Sequence, residues 1–408
     1  MRFNLLLNKF CLELVLAVFV FGTQVRGLPT FLNLPLMSSL FLVYVGLVTK
    51  RFRINKEILA AIFPVCLSIV YGVFLFVGKD SDLFFEKELT RNLIYIFAAS
   101  CLALLLIEME YKVVDVLRVI AIYLVINSFI IILCFFYPKL QDNISSVFII
   151  GSNKVESLKR VFTFSGFLPA RGASGSILCS LYFLYLPLAW ANERSNKIVL
   201  LTGGILVFIS MMLVGRSGII SLVLWYVFGS YYTKNFKLIY PLIIIGASIY
   251  ALSFFVYSGY FDSAIGIVLS FFLEPIIVIF FEGGGVVGTN ETFFNMVYLP
   301  ESLSTIFFGD GTMLDYSQPL GFLKSDSGYI RWIYEQGLIG VTIYLICFFC
   351  LVRFIPRKTD AFIYLSIVSV LCFLNIKEPF LFKPGFIQIV YLIYFVAAYQ
   401  EKEKMRID

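Results

Sequence analysis

At 408 residues the chain has the length of two or three soluble domains, but 60% hydrophobic and 14% charged residues, with a mean hydropathy of +0.92, exclude a water-soluble globule. Aromatic residues make up 18%, among them 45 Phe and 24 Tyr, and apolar residues come in runs of roughly 16 to 22, the length that crosses a hydrocarbon core. The net charge of +6 contains no basic tract, so it reports membrane topology and excludes a nucleic-acid-binding role.

The runs predict an all-α polytopic membrane protein of about twelve spans, at 10–25, 31–48, 58–78, 92–107, 117–137, 173–190, 198–214, 217–232, 238–257, 331–351, 361–376 and 384–400. Arg2 and Lys9 before the first run resemble a signal peptide, but no small-x-small cleavage site follows, and a retained first helix is expected. With the N-terminus inside, 18 of the 32 basic residues fall on cytoplasmic segments and 7 in short external loops, the bias that orients membrane proteins, which puts both termini in the cytoplasm.

Two external segments are long, 138–171 and 258–331, and they emerge on one face of an otherwise single transmembrane domain. The first carries Lys139, Lys154, Lys159, Arg160 and Arg171 against Asp142 and Glu156; the second carries eight acids, including Asp310, Asp315 and Asp326, against Lys324 and Arg331. Either both are simply solvated, or a basic wall faces an acidic wall across one cavity. Within the second, 264–281 is long enough to span, but Glu274-Pro275 at its centre and the inversion of every later loop favour a re-entrant or interfacial helix, followed by the Gly283–Gly285 hinge.

All eight cysteines lie in apolar runs and predict no disulfide framework, and the Cys347–Cys350 spacing lacks a second ligand pair for a metal. The chain has no histidine, so a Ser-His-Asp triad, a histidine base and a His-ligated metal are excluded. No metal or cofactor is called for. Chemistry falls to carboxylate, arginine, lysine, tyrosine or serine.

Three places carry such residues. Arg216 stands in a two- or three-residue break between two apolar runs, where Ser217 and Gly218 open the next helix; a guanidinium beside free helix N–H groups matches phosphate oxygens. The alternative is a topological turn with Arg216 reaching to headgroups. Arg171 likewise follows Pro169 and precedes Gly172, Ser174, Gly175 and Ser176, a second cation at a helix start. Arg160 and Lys159 are weaker, more solvated positions. The third place, 307–345, gathers Asp310, Asp326, Tyr329, Arg331, Trp332 and Glu335, acids for hydroxyls beside rings for stacking, as in sugar sites. Arg331 and Glu335 are four apart, the spacing of an ion pair on one helix face.

With LPARGASG before one span, GRSG between two spans, and FGDG followed by SDSGYIRWIYEQGLIG closing the large loop, the chain resembles the O-antigen polymerase (Wzy) family within the O-antigen ligase/polymerase superfamily. The resemblance is of architecture over most of the chain plus these three signatures. It implies a multi-pass protein of the bacterial inner membrane whose large loops are periplasmic. It further implies a glycosyltransferase moving a growing glycan from undecaprenyl diphosphate onto another undecaprenyl diphosphate-linked repeat unit, with a chain-length regulator and a flippase as partners. The ligases carry a histidine where this chain has Ser325-Asp326-Ser327, which disfavours that sister reading. The arginine with a glycine eleven residues later, described for the polymerases, has no counterpart: Tyr182 follows Arg171 at that interval and Val227 follows Arg216.

The residue chemistry fits such a transfer on its own terms. Diphosphate is a good leaving group, so the donor side needs cations, for which Arg216 and Arg171 suit; the attacking hydroxyl needs at most an acceptor, Asp326 first and Asp310 second. Substrate contacts are expected from Asp310, Tyr329, Arg331 and Arg160. Inversion by single displacement follows. Readings from other classes are a ligase to lipid A-core, a lipid-linked glycan flippase or transporter, for which Glu13 and Glu274 within spans would speak, and a non-catalytic scaffold.

Overall fold

The computed structural model describes residues 2–23, 25–26, 33–49, 54–76, 84–148, 166–168, 173–192, 195–215, 217–235, 239–259, 273, 277, 280–281, 299–310, 327–377, 380–383 and 385–407. In chain order these hold α1 (Arg2–Phe21), α2 (Leu34–Val48), α3 (Lys56–Phe76), α4 (Phe84–Glu108), α5 (Val113–Phe136), α6 (Pro138–Val147), α7 (Ala173–Ser180) and α8 (Tyr182–Trp190). There follow α9 (Lys197–Val214), α10 (Ser217–Tyr232), α11 (Ile239–Tyr257), α12 (Leu303–Phe308), α13 (Gly328–Cys350), α14 (Lys358–Leu374) and α15 (Phe386–Ile407). Among the described residues there is no strand, only an isolated antiparallel bridge between Val25 and Phe148.

Five segments, Lys56–Leu75, Leu89–Glu108, Val113–Phe136, Lys197–Val214 and Gly328–Phe354, are long and apolar enough to cross a membrane, and Leu34–Val48, Ser174–Trp190 and Phe386–Gln400 are shorter apolar helices. This is the composition of an all-helical membrane protein. Each apolar run expected to span falls on a helix, with one interruption: 173–190 is broken at Leu181 into α7 and α8. The re-entrant segment expected at 264–281 lies almost wholly outside the described residues.

The centre of the bundle is α15. From Gly385 to Gln400 every residue is buried, including Tyr391, Tyr394 and Tyr399, which is what an apolar helix without a polar face must do. It packs most extensively on α4 and is fixed by polar pins at both ends. Gln388 accepts from the Gly385 N–H and donates from Nε2 to the Phe19 carbonyl of α1 (2.7 Å), while the Tyr399 hydroxyl meets Ser100 Oγ of α4 at 2.9 Å. Small and hydroxylated residues mediate the closest helix contacts, as expected where lipid competes for apolar surface. Ser180 Oγ meets Ser221 Oγ at 2.6 Å and accepts from Trp225 Nε1 at 3.1 Å, and Ser210 donates to Ser128 at 2.7 Å.

The long segment 138–171 begins with α6, a helix the apolar-run reading passes over. Pro138 occupies its first position, and Leu140, Ile144 and Phe148, spaced by four, pack on Ile131, Cys134, Leu213 and Val214. The same segment is anchored at its far end: Asn127, buried in α5, accepts the Phe167 N–H at 2.8 Å. Gly166, at φ +65°, lies so close that a Cβ would stand 2.2 Å from Asn127 Oδ1.

Candidate functional site

Of the seven residues expected to act, Asp310, Tyr329 and Arg331 are described; Arg171, Arg216, Asp326 and Arg160 lie outside the described residues. The chain on the C-terminal side of Arg171, Arg216 and Asp326 is described, and all three stretches reach one turn, 375–385, between α14 and α15.

The first two stretches begin α7 and α10, and these helix starts touch. The Gly218 N–H donates to Ser176 Oγ at 3.0 Å, and a Cβ on Gly218 would stand 2.6 Å from the Ser176 carbonyl. Only a glycine admits that approach. The starts of two helices, the positive ends of their dipoles, are thereby set side by side. Two lysines of the turn reach the same first turns: Lys377 Nζ donates to Ser217 Oγ at 2.5 Å and Lys383 Nζ to Ser174 Oγ at 2.8 Å. Lys383 also lies over the Phe380 ring, 5.4 Å from its centroid.

The third stretch is the start of α13. Ser327 caps that helix through the Ile330 N–H, and the Gly328 N–H donates to the Asn375 carbonyl at 3.0 Å. Tyr329, expected to contact sugar, is half-buried and donates to the Cys372 carbonyl at 2.7 Å, holding α13 to α14. Arg331 stands half-buried a residue pair further on, with Glu335 buried one turn beyond it.

Asp310 belongs to a neighbouring structure. Its carboxylate accepts from the Thr305 hydroxyl at 2.9 and 3.0 Å and its N–H donates to the Tyr334 carbonyl at 2.8 Å, so the second residue after α12 is folded back on α13. Two glycines permit this. Gly309 (φ +78°) and Gly337 (φ +64°) lie on the two backbones, and a Cβ on either would come within 2.5 Å of a carbonyl of the other segment. Gly337 is non-helical within α13, and the kink is pinned by Gln336, whose Nε2 donates to the Ser68 carbonyl of α3 at 3.0 Å.

Lys377 and Lys383 are two of the seven basic residues that the sequence assigns to short external loops. The signal that singled out Arg216, a cation in a short loop on the side normally spared, applies equally to both of them. The opposite end of the bundle holds a different polar feature, an open cleft of about 460 Å³ lined by Lys9, Glu13, Glu110, Tyr111, Asp115 and Arg118 among others. There Tyr111 donates to Glu13 at 2.6 Å. Burial, and after it the Glu13 hydrogen bond, hold the phenol well above its ordinary pKa, so it stays a donor at neutral pH. Glu13 is thus tied at a helix-end cleft.

No metal-ligand cluster of three or more His, Cys, Asp or Glu occurs among the described residues. No protein-family model matches the chain, and no curated protein matches it significantly. The fold and the site together describe an all-helical membrane protein with cations and helix N-termini gathered at one end.

Proposed function

We propose that this chain polymerises undecaprenyl diphosphate-linked oligosaccharide repeat units into O-antigen or a related surface polysaccharide, at the periplasmic face of a bacterial inner membrane. In this reading it crosses the membrane about twelve times, keeps both termini in the cytoplasm, and works beside a chain-length regulator and a flippase. The carrying observation is that Ser174, Ser217 and Gly328, which closely follow Arg171, Arg216 and Asp326, all bond to residues between α14 and α15: Lys383, Lys377 and Asn375.

Chemically, adjoining helix starts preceded by arginines suit a diphosphate leaving group, whose charge grows as the glycosyl–phosphate bond breaks. The same anchor turn holds the start of α13, directly after Asp326, our choice of acceptor for the attacking hydroxyl's proton. Attack from the face opposite the diphosphate inverts the anomeric centre.

The test is reconstitution: purified protein with lipid-linked repeat units should yield a ladder of glycan lengths on a gel, with no other enzyme added. Cells lacking the protein should still deliver single repeat units to the periplasm. Retention of the units in the cytoplasm would instead identify a flippase.

A further inference from the structure

We propose that α12 is immersed in the bilayer, with Leu303, Phe307 and Phe308 laid against the acyl chains of one leaflet. The segment 299–310 is then a re-entrant piece of membrane structure, where the sequence alone places it in an external loop. This inference does not rest on the polymerase reading.

α12 is amphipathic the wrong way round for water. Leu303 is 71% exposed and Phe307 and Phe308 are exposed as well, whereas Thr305 is buried at 4%. At about 100° per residue, Leu303, Phe307 and Phe308 share one side of the helix and Thr305 lies on the other. The inward Thr305 hydroxyl bonds to Asp310, and the Ser304 hydroxyl, on the outer side, accepts from that of Ser302 at 3.4 Å. Charges flank the helix at Glu301 and Asp310, with none between them. A helix in water buries its apolar side and shows its polar one; the reverse arrangement is stable where the outer medium is itself apolar.

Depth follows from two spans independently. The Tyr71 hydroxyl of α3 donates to the Phe308 carbonyl at 2.9 Å, and Tyr71 stands four residues before the end of the membrane-crossing segment Lys56–Leu75, about 6 Å by helical rise. On α13 the Phe307 carbonyl packs against Gly337. The crossing segment Gly328–Phe354, at 27 residues, exceeds a hydrocarbon core of about 30 Å by about 10 Å, so with the excess shared between its ends Gly337 sits about 8 Å inside. Both spans put the C-terminal half of α12 below the surface of the hydrocarbon. The surroundings agree: Val70 and Phe74, on either side of Tyr71, and Leu338, beside Gly337, are exposed too. The outer face of α12 therefore continues the lipid-facing surface of α3 and α13. In the topology proposed above, the leaflet is the periplasmic one.

The test uses the full-length protein in nanodiscs. Leu303→Trp and Phe307→Trp each add emission to that of the native Trp190, Trp225 and Trp332. The added part should be quenched by phospholipid brominated near the carbonyl end of its acyl chains, less by lipid brominated near the methyl end, and hardly by iodide in the water. Val70→Trp, at the same depth on α3, should behave alike, and Asp142→Trp, on the polar side of α6, should respond to iodide instead. Wild-type protein illuminated in lipid with a photoreactive acyl chain should carry adducts within 299–308, which tests the surface without any substitution. Iodide quenching of L303W and F307W equal to that of D142W would show water at α12 and overturn the proposal. Protection of both from iodide and from brominated lipid, with no adduct in 299–308, would show a protein partner or a second copy there and overturn it equally.

Discussion

At the scale of single residues, cations and carboxylates should separate cleanly. Arg216→Ala should abolish polymer at unchanged protein level, and Arg216→Lys should restore little. Lysine lacks the planar fork, and losing a bidentate phosphate contact costs about 2 kcal/mol or more, some tens-fold in rate. Full activity in Arg216→Lys would leave a point charge or a topological role. For the acid, Asp326→Asn should lower turnover roughly 100-fold to 10,000-fold with donor binding little changed, whereas Asp315→Asn should be nearly silent. Near-normal ladders from Asp326→Asn at matched expression would take Asp326 off the mechanism while the cations stand. Asp310 is expected to behave differently from both. Its carboxylate already holds the Thr305 hydroxyl, so Asp310→Asn should register in thermal stability as well as in activity.

At the scale of elements, the α12–α13 junction depends on two backbones approaching where no side chain fits. Gly337→Ala places a Cβ 2.3 Å from the Phe307 carbonyl on a residue with φ +64°. Left-handed strain alone costs about 1–2 kcal/mol, and relieving the overlap requires α12 to move away. The expected result is a lower unfolding temperature in detergent together with release of the 303–310 segment, visible as faster proteolysis there. An unchanged melt would show that the kink straightens without loss. The long helices were legible in the sequence because each carries a long apolar run; α10 begins and ends where its run does, Ser217–Tyr232. The break at Leu181 was not, because the one proline of that stretch, Pro187, lies six residues beyond it, inside α8, and a lone Ser180 does not mark a tertiary interruption. Nor was α6, whose apolar residues at 140, 144 and 148 are too sparse for a span and read as loop until a surface is present to receive them.

At the scale of the whole molecule, orientation is the property to test. Tags at either terminus or near Arg51 should report cytoplasm, and tags near Asp142 and Glu291 periplasm, as the 18 to 7 distribution of basic residues requires. A periplasmic C-terminus would mean an odd number of crossings and would overturn the re-entrant reading of 264–281. The site was half legible at this scale. Arg171 and Arg216 stood out because each precedes a helix start. That the two starts adjoin, and that Lys377 and Lys383 arrive from a turn more than 150 residues beyond Arg216, is set by the crossing of α7 and α10 through Ser176 and Gly218. No local pattern encodes that crossing.

The burial of α15 on all sides from Phe386 to Gln400 has a consequence for biosynthesis. This helix follows α1 to α14 in the chain and yet fills the space among them, so the faces of α1 and α4 that it covers are without their partner while translation proceeds. At about 5–20 residues per second, 408 residues take roughly 20 to 80 seconds to make. During that interval the early helices must be held by lipid or by the insertion machinery, loosely enough for a latecomer to enter between them. The turn carrying Lys377 and Lys383 is joined directly to α15 and is set in the same closing step. A nascent chain therefore holds α7 and α10 well before the lysines of the α14–α15 turn can reach their first turns, and the packing around α1 and α4 is complete only once α15 takes its place among them.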